Sequence, residues 1–272
     1  MKVYCVLSDE LAFRSKSPAM HNAVLKRHNM AGVYVPFVVL PDRVGEAIRD
    51  VRILNIAGAN VTVPYKQVVV RYLDSLSEEA SAIGAVNTIV PEDGRLVGHN
   101  TDTKGFMDVL GSVGFDSAGK TALIMGTGGA AIAVAFALRR HGGARVLIAG
   151  RNPEKARQAA EKLGAEPVAF SALAANQVEA ELMVNATAVS SAAESMVTAE
   201  FARRLNIARC ELVVDINYGR RENFWQELAQ EHSATFVDGL PMLAYQAQRS
   251  FALWTGLEVD AKEFLEALGD GS

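Results

Sequence analysis

The residues most suggestive of chemistry lie in a glycine-rich turn. Residues 120–125 (Lys-Thr-Ala-Leu-Ile-Met) read as a buried strand. Gly126-Thr127-Gly128-Gly129-Ala130 follows at once, and the Ala-rich residues 131–141 read as a helix. A strand, a Gly-x-Gly turn and a helix form the context of a dinucleotide site. Glycine lets the backbone bend and approach a pyrophosphate, and the helix N-terminus offers free N–H groups and partial positive charge. The third glycine of the usual pattern is replaced by Ala131. The next strand, 145–149, ends at Gly150-Arg151 with no acidic residue to accept bonds from the ribose hydroxyls, and Lys155 follows one turn later. Two cations at this tip favour NADP, whose 2′-phosphate a guanidinium can grip, over NAD. The bland alternative is a solvated basic helix start.

A second group lies in the N-terminal third. Asn60, Thr62 and Lys66 sit at the end of a strand read over 56–61 and at the start of a helix read over 64–73, the place where open α/β sheets build their sites. The Lys66 ammonium has three N–H donors and can stabilise, then protonate, an oxygen that gains negative charge. Asp102 lies in a polar Asn-Thr-Asp turn. By themselves this lysine and aspartate would read as surface charges.

The elements that must position these groups alternate along the chain. Strands are expected at 3–7, 33–39, 56–61, 85–91, 95–99, 120–125, 145–149, 182–186 and 212–216, with helices between most of them. The helix at 18–28 starts with a proline and is expected to be capped by Ser17. Asp93-Gly94 signals a hairpin. Alternation of this kind implies α/β architecture with a parallel sheet covered on both faces. The chain has 272 residues, half of them hydrophobic, which suffices for two cores. The expected organisation is an N-terminal α/β substrate domain, 1–104 plus 240–272, and a Rossmann-type dinucleotide domain, 105–239. The C-terminal helices are expected to return to the first domain.

The net charge is −4 and the basic residues are scattered, so no nucleic-acid footprint is expected. The apolar runs are too short to span a bilayer, and the N-terminal residues read as a strand rather than a leader. Five dispersed histidines and two isolated cysteines, Cys5 and Cys210, give no metal spacing and suit a reducing cytoplasm.

Seven segments, in order, resemble the signatures of the shikimate dehydrogenase family: Ser15-Lys16-Ser17-Pro18-Ala19-Met20-His21-Asn22, Gly58-Ala59-Asn60-Val61-Thr62-Val63-Pro64-Tyr65-Lys66, Gly84-Ala85-Val86-Asn87-Thr88, Gly98-His99-Asn100-Thr101-Asp102, Gly126 to Ala130, Asn185-Ala186-Thr187, and Gly239-Leu240-Pro241-Met242-Leu243-Ala244-Tyr245-Gln246. The resemblance implies NADP-dependent, reversible reduction of 3-dehydroshikimate to shikimate in aromatic amino-acid biosynthesis. It implies Lys66 and Asp102 as the catalytic pair. Ser15 and Ser17 would bind the carboxylate. Asn60, Thr62, Asn87, Tyr218 and Gln246 would complete the substrate site. Gly126, Gly128, Gly129, Ala130, Arg151, Lys155, Thr187, Ile216 and Gly239 would line the cofactor site. The partner is then a small hydroxylated acid, and the assembly a monomer or homodimer.

The sequence departs from the family pattern at four places. Ser8-Asp9-Glu10-Leu11-Ala12-Phe13-Arg14 replaces a Gly-x-Pro turn and a histidine. Gly150-Arg151-Asn152 stands for Asn-Arg-Thr. Ala188-Val189-Ser190-Ser191 follows the Asn-Ala-Thr segment, and Gly219-Arg220-Arg221 follows Tyr218 in place of Asn-Pro. A quinate/shikimate dehydrogenase using NAD and a non-catalytic ligand-sensing paralogue therefore stay open.

Overall fold

The computed structural model describes residues 1–269 and divides into two compact units: Met1–Gly105 with 243–269, and Phe106–Met242. Both are α/β. The strands are β1 (Lys2–Ser8), β2 (Gly32–Val38), β3 (Gly58–Val61), β4 (Ser75–Leu76), β5 (Thr88–Glu92), β6 (Arg95–His99), β7 (Thr121–Met125), β8 (Arg145–Ala149), β9 (Glu166–Val168), β10 (Val178–Glu179), β11 (Leu182–Asn185), β12 (Ile207–Ala208), β13 (Leu212–Asp215) and β14 (Thr235–Val237). The helices are α1 (Ser17–Arg27), α2 (Val44–Ile53), α3 (Glu78–Ile83), α4 (Asp102–Ser112), α5 (Gly129–Arg140), α6 (Pro153–Leu163), α7 (Phe170–Ala175), α8 (Met196–Arg204), α9 (Phe224–Glu231), α10 (Leu240–Thr255) and α11 (Ala261–Gly269).

The first unit has a mixed sheet in the order β2-β1-β3-β5-β6-β4. β1 runs parallel to β2 and β3, while β5 is antiparallel to β3 and β6. The β5–β6 hairpin turns through Asp93 and Gly94, both at positive φ, as its Asp-Gly pair requires. Cys5, Leu7, Ile48, Val61 and Ile89 are among the residues of an apolar core in this unit. A second cluster is aromatic. His21 stacks on Tyr34 with centroids 4.4 Å apart and planes within 6°, and Phe251, Trp254 and Phe264 surround it. The C-terminal helices α10 and α11 supply the last three rings, so they return to this unit. Arg27 and His28 bind Glu263 at 3.3 and 3.0 Å and secure α11 to α1. Asn22 binds the Tyr34 backbone twice, each at 2.8 Å: its Nδ2 donates to the carbonyl and its Oδ1 accepts from the N–H.

The second unit has a wholly parallel sheet in the order β14-β13-β11-β7-β8-β9. This is the doubly wound Rossmann order, and the chain reverses direction across the sheet between β7 and β11. β7, β8, β11 and β13 are nearly continuous buried apolar runs, as strands covered on both faces must be. Their core includes Leu123, Met183, Val213, Trp225 and Leu228. Asn152 caps α6, Ser195 caps α8 and Asn223 caps α9, each accepting a backbone N–H of the first turn. Among the described residues no helix is long and apolar enough to cross a membrane.

Two local expectations are corrected. Ser17 is the first residue of α1, not its side-chain cap. The cap position is Lys16, and Ser15 Oγ accepts the Ser17 N–H at 3.2 Å. The helix expected at 64–73 shrinks to a 3₁₀ turn, Val68–Tyr72. Three consecutive valines lose side-chain freedom in an α-helix, and Val86 N–H binds the Lys66 carbonyl instead of leaving it to a helical turn.

Candidate active site

In the first unit, β3 ends at Val61 and the chain turns sharply through Thr62–Tyr65. The turn is tied down at several points. Thr62 N–H binds the Leu7 carbonyl at 3.1 Å, Tyr65 N–H binds the Thr62 carbonyl at 2.9 Å, and Tyr65 Oη donates to the Val39 carbonyl at 2.6 Å. Lys66 follows this anchored turn. Its Nζ lies 2.8 Å from Oδ2 of Asp102, and the two side chains are only 13% and 5% exposed. A pair this enclosed must be well bonded to exist, because desolvating either charge costs several kcal/mol.

Asp102 is bonded throughout. Asn87 Nδ2 donates to its Oδ1 at 2.9 Å, and its own N–H donates to Asn100 Oδ1 at 3.0 Å. It is also the first residue of α4, where the helix dipole favours a carboxylate. Asn100 Nδ2 in turn donates to the Ala85 carbonyl at 2.9 Å. The polar Asn-Thr-Asp turn is thus the device that places this carboxylate.

Asn87 is the hub of the group. Its Nδ2 also donates to Thr101 Oγ1 at 2.9 Å and Gln246 Oε1 at 3.3 Å, and its Oδ1 accepts from Thr88 Oγ1 at 2.9 Å and Thr101 N–H at 2.8 Å. Lys66, Asn87, Asp102 and Gln246 are therefore brought together by β3, β5, α4 and α10. Asn60 lies beneath them, turned inward. Its Oδ1 accepts from Tyr34 Oη at 2.8 Å, and its Nδ2 faces the Asn87 carbonyl, Thr88 Oγ1 and Ser250 Oγ at 3.1–3.2 Å. Those contacts occupy its amide, so it holds the β3–β5 junction in shape. Thr62 and Ser15 are half-buried and Ser17 is buried. Ser15 Oγ, bonded to the Ser17 N–H, still has its own proton to donate.

Sequence reasoning missed Tyr34, Thr88, Thr101 and Ser250. Thr88 and Thr101 lie inside the family-like segments 84–88 and 98–102, and Ser250 lies one helical turn beyond Gln246, so spacing could have found three of the four.

The second unit carries the dinucleotide features at the C-terminal ends of β7, β8, β11 and β13. Gly126 has φ +130°, and a Cβ there would lie 2.6 Å from the Ala186 carbonyl oxygen. Its glycine is required by the chain itself. Gly128 differs: a Cβ there would meet nothing within 4 Å. It is the N-cap of α5 and provides no side-chain acceptor, so the first-turn N–H groups, starting at Gly129 and Ala130, lack a side-chain cap and border open space. That fits a pyrophosphate. Arg151 and Lys155 are exposed at the start of α6, and neither side chain is engaged by another described residue. They fit an added phosphate.

Thr187 N–H and Oγ1 both bind Asn185 Oδ1, at 3.1 and 2.7 Å. Asp215, fully buried, accepts from the side-chain amides of Asn185, Asn217 and Asn223 at 2.8, 3.0 and 2.7 Å. This network joins the loop bearing Thr187 to the loop bearing Ile216 and Tyr218. Gly239 abuts the second loop. Its N–H binds the Asn217 carbonyl at 2.9 Å, and a Cβ would lie 2.2 Å from the Ile216 carbonyl oxygen.

Residues 7–89 match the shikimate dehydrogenase substrate binding domain, 110–235 match shikimate / quinate 5-dehydrogenase, and 239–268 match the shikimate 5′-dehydrogenase C-terminal domain. The shikimate dehydrogenase (NADP(+)) of Caldanaerobacter subterraneus is 38% identical over 259 residues, 92% of this chain and 90% of the relative. That of Pyrococcus abyssi is 38% identical over the whole of both chains. Among solved structures, the shikimate 5-dehydrogenase of Thermus thermophilus in complex with NADP(H) and shikimate superposes with a TM-score of 0.85 at 34% identity, covering 99% of each chain. The enzyme of Listeria monocytogenes in complex with shikimate and NAD gives 0.83 at 28% identity, covering 98% and 96%. The chain therefore belongs to the shikimate dehydrogenase family.

Proposed function

We propose that this protein catalyses the reversible NADP-dependent reduction of 3-dehydroshikimate to shikimate, as a step of aromatic amino-acid biosynthesis in the cytoplasm. The observation that carries this reading is the enclosed Lys66–Asp102 pair, with Asn87 on the second carboxylate oxygen.

NADPH supplies a hydride to the carbonyl carbon when it is bound. The chain's own residues do the rest. The Lys66 ammonium faces the carbonyl oxygen, stabilises the negative charge that grows there and delivers the proton. Asp102 holds that ammonium in place and Asn87 keeps Asp102 from turning. In the oxidative direction Lys66 takes the hydroxyl proton back. The Asn87 and Gln246 amides both donate and accept, so they can exchange their contacts with each other and with Thr101 for vicinal ring hydroxyls, with Thr62 and Tyr218 completing the substrate contacts. A site built to bond hydroxyls strongly rejects analogues that lack them. Ser15 and Ser17 hold the carboxylate. The α5 N-terminus after Gly126, Gly128 and Gly129 holds the pyrophosphate, Arg151 and Lys155 the 2′-phosphate, and Thr187, Ile216 and Gly239 border the nicotinamide.

The test is a two-by-two assay of shikimate and quinate against NADP and NAD. Shikimate with NADP should give the highest kcat/KM. A more than tenfold preference for NAD overturns the cofactor assignment, a preference for quinate overturns the substrate, and no turnover with any pair overturns the reading altogether.

A further inference from the structure

The loop after Tyr218 holds a set of side chains that the proposed chemistry does not use. Gly219 turns the chain in the left-handed region, at φ +73°. The turn lets the Arg220 guanidinium fold back on its own loop. Arg220 Nη1 donates to the Tyr218 carbonyl at 2.7 Å. Its Nε and Nη2 both bind Oε1 of Glu194, at 3.0 and 2.8 Å. The other carboxylate oxygen is used as well. Glu194 Oε2 accepts the backbone N–H groups of Ser190 and Ser191, at 2.8 and 3.1 Å. One ion pair therefore joins the Tyr218 carbonyl to the start of the loop that follows Thr187. Burial alone would raise the Glu194 carboxyl, but these donors together hold it below its usual range.

The same two loops are joined a second time. Asn217 Nδ2 donates to the Thr187 carbonyl at 2.8 Å and to Ser190 Oγ at 3.0 Å, and Asn217 N–H binds Asp215 Oδ1 at 3.1 Å. Tyr218 is thus fixed on both sides, by the half-buried Asn217 amide before it and by the guanidinium after it. Ser190, Ser191 and Arg220, which take part in these fastenings, lie where the sequence departs from the family pattern, at 188–191 and 219–221.

We propose that Arg220, acting through Glu194, is a positioning residue that sets the backbone of Tyr218 for substrate binding. The planar guanidinium is suited to the task, because its donors lie in a rigid fork that fixes the directions of two acceptors, whereas the three donors of an ammonium rotate freely. The pair is 29% and 32% exposed, so removing it should move the thermal midpoint by less than about 3 °C. A contact made equally in the ground and transition states appears in KM rather than kcat.

The functional half of this inference rests on the proposed shikimate activity, and its test has one arm that does not. Amide hydrogen exchange and steady-state kinetics are measured on the full chain and on Arg220→Gln, Glu194→Gln, Arg220→Lys and the double Gln variant. Exchange at 190–191 and 216–220 should quicken about tenfold in each Gln variant. KM for shikimate should rise about five- to twentyfold with kcat within about twofold, and the double variant should be no worse than the poorer single one. Arg220→Lys should fall between the wild type and Arg220→Gln. Unchanged exchange in the single variants, an unchanged KM, or effects that sum in the double variant overturns the proposal. A wild type inactive on shikimate defeats the functional reading, and with it the role in substrate binding. The exchange data then still decide whether the ion pair orders the two loops.

Discussion

Lys66 and Asn87 grip different oxygens of a single carboxylate: Lys66 Nζ takes Asp102 Oδ2 at 2.8 Å, and Asn87 Nδ2 takes Oδ1 at 2.9 Å. Both partners are donors, and this determines how Asp102 tolerates change. An asparagine in its place must turn an NH₂ toward one of them in either orientation. Asp102→Asn is therefore expected to lower kcat by about 10²–10³, and Lys66→Ala by about 10²–10⁴, with smaller changes in cofactor affinity. If the two groups act as a unit, the double variant should lose little more than Lys66→Ala alone. An unchanged kcat in Lys66→Ala removes that residue from the mechanism.

Gly126 and Gly128 lie two residues apart in one turn, and their alanine variants should behave differently. At Gly126 the φ of +130° and the nearby Ala186 carbonyl penalise any side chain. Gly126→Ala should lose about 1–3 kcal/mol or more of stability in urea unfolding. Gly128 has φ −79° and ψ 176°, which alanine adopts freely, and nothing lies near its Cβ. Gly128→Ala should unfold like the wild type, yet KM for NADP should rise about tenfold, because the methyl would occupy the space proposed for the pyrophosphate. A normal KM there would place the cofactor elsewhere.

Arg151 is exposed at the start of α6, and no other described residue engages its side chain. If it grips the 2′-phosphate, Arg151→Ala loses a charge-assisted contact worth about 1.5–3 kcal/mol, or roughly 10–100-fold in KM for NADP. KM for NAD, which lacks that phosphate, should not move. Equal losses with both cofactors would assign Arg151 to the adenosine or to the fold.

His21 predicts an acid limb in the stability profile. Among the described residues neither of its ring nitrogens has a hydrogen-bond partner, and burial among aromatic rings pushes its pKa from 6.5 down to about 3. The unfolded chain takes up a proton below pH 6.5 while the folded chain stays neutral. The stability contribution is thus complete above pH 6.5 and is lost as pH falls toward 3, at up to about 1.4 kcal/mol per pH unit. The urea midpoint should drop over that window, and His21→Phe should flatten the drop. Parallel profiles for the two proteins would show that other groups dominate.

The sequence was most readable where a residue type and its local context agree. The glycine turn, the cationic tip of β8 and the run of buried strands needed no long-range knowledge. The Lys66–Asp102 contact was reachable only through family resemblance, since spacing cannot reveal that β3 and the α4 N-terminus are neighbours. The role of Tyr34 was not readable at all. It lies on an edge strand, and its hydroxyl matters only because the fold brings Asn60 to it. Ser17 was misread because in Ser15-Lys16-Ser17-Pro18 the serine before the proline looks the same whether it or Ser15 accepts the first N–H. Three valines at 68–70 outweighed the helix start that Pro64 suggested.

Asn22 has a wider consequence. β2 ends its sheet, and an outermost strand with open peptide groups can recruit a strand from another chain. Here the Tyr34 N–H and carbonyl are already taken by the Asn22 amide, and Pro36 has no N–H to offer. One side chain, imitating the peptide group of a missing neighbour, makes this border a poor template for aggregation while steadying the ring that holds Asn60 in place.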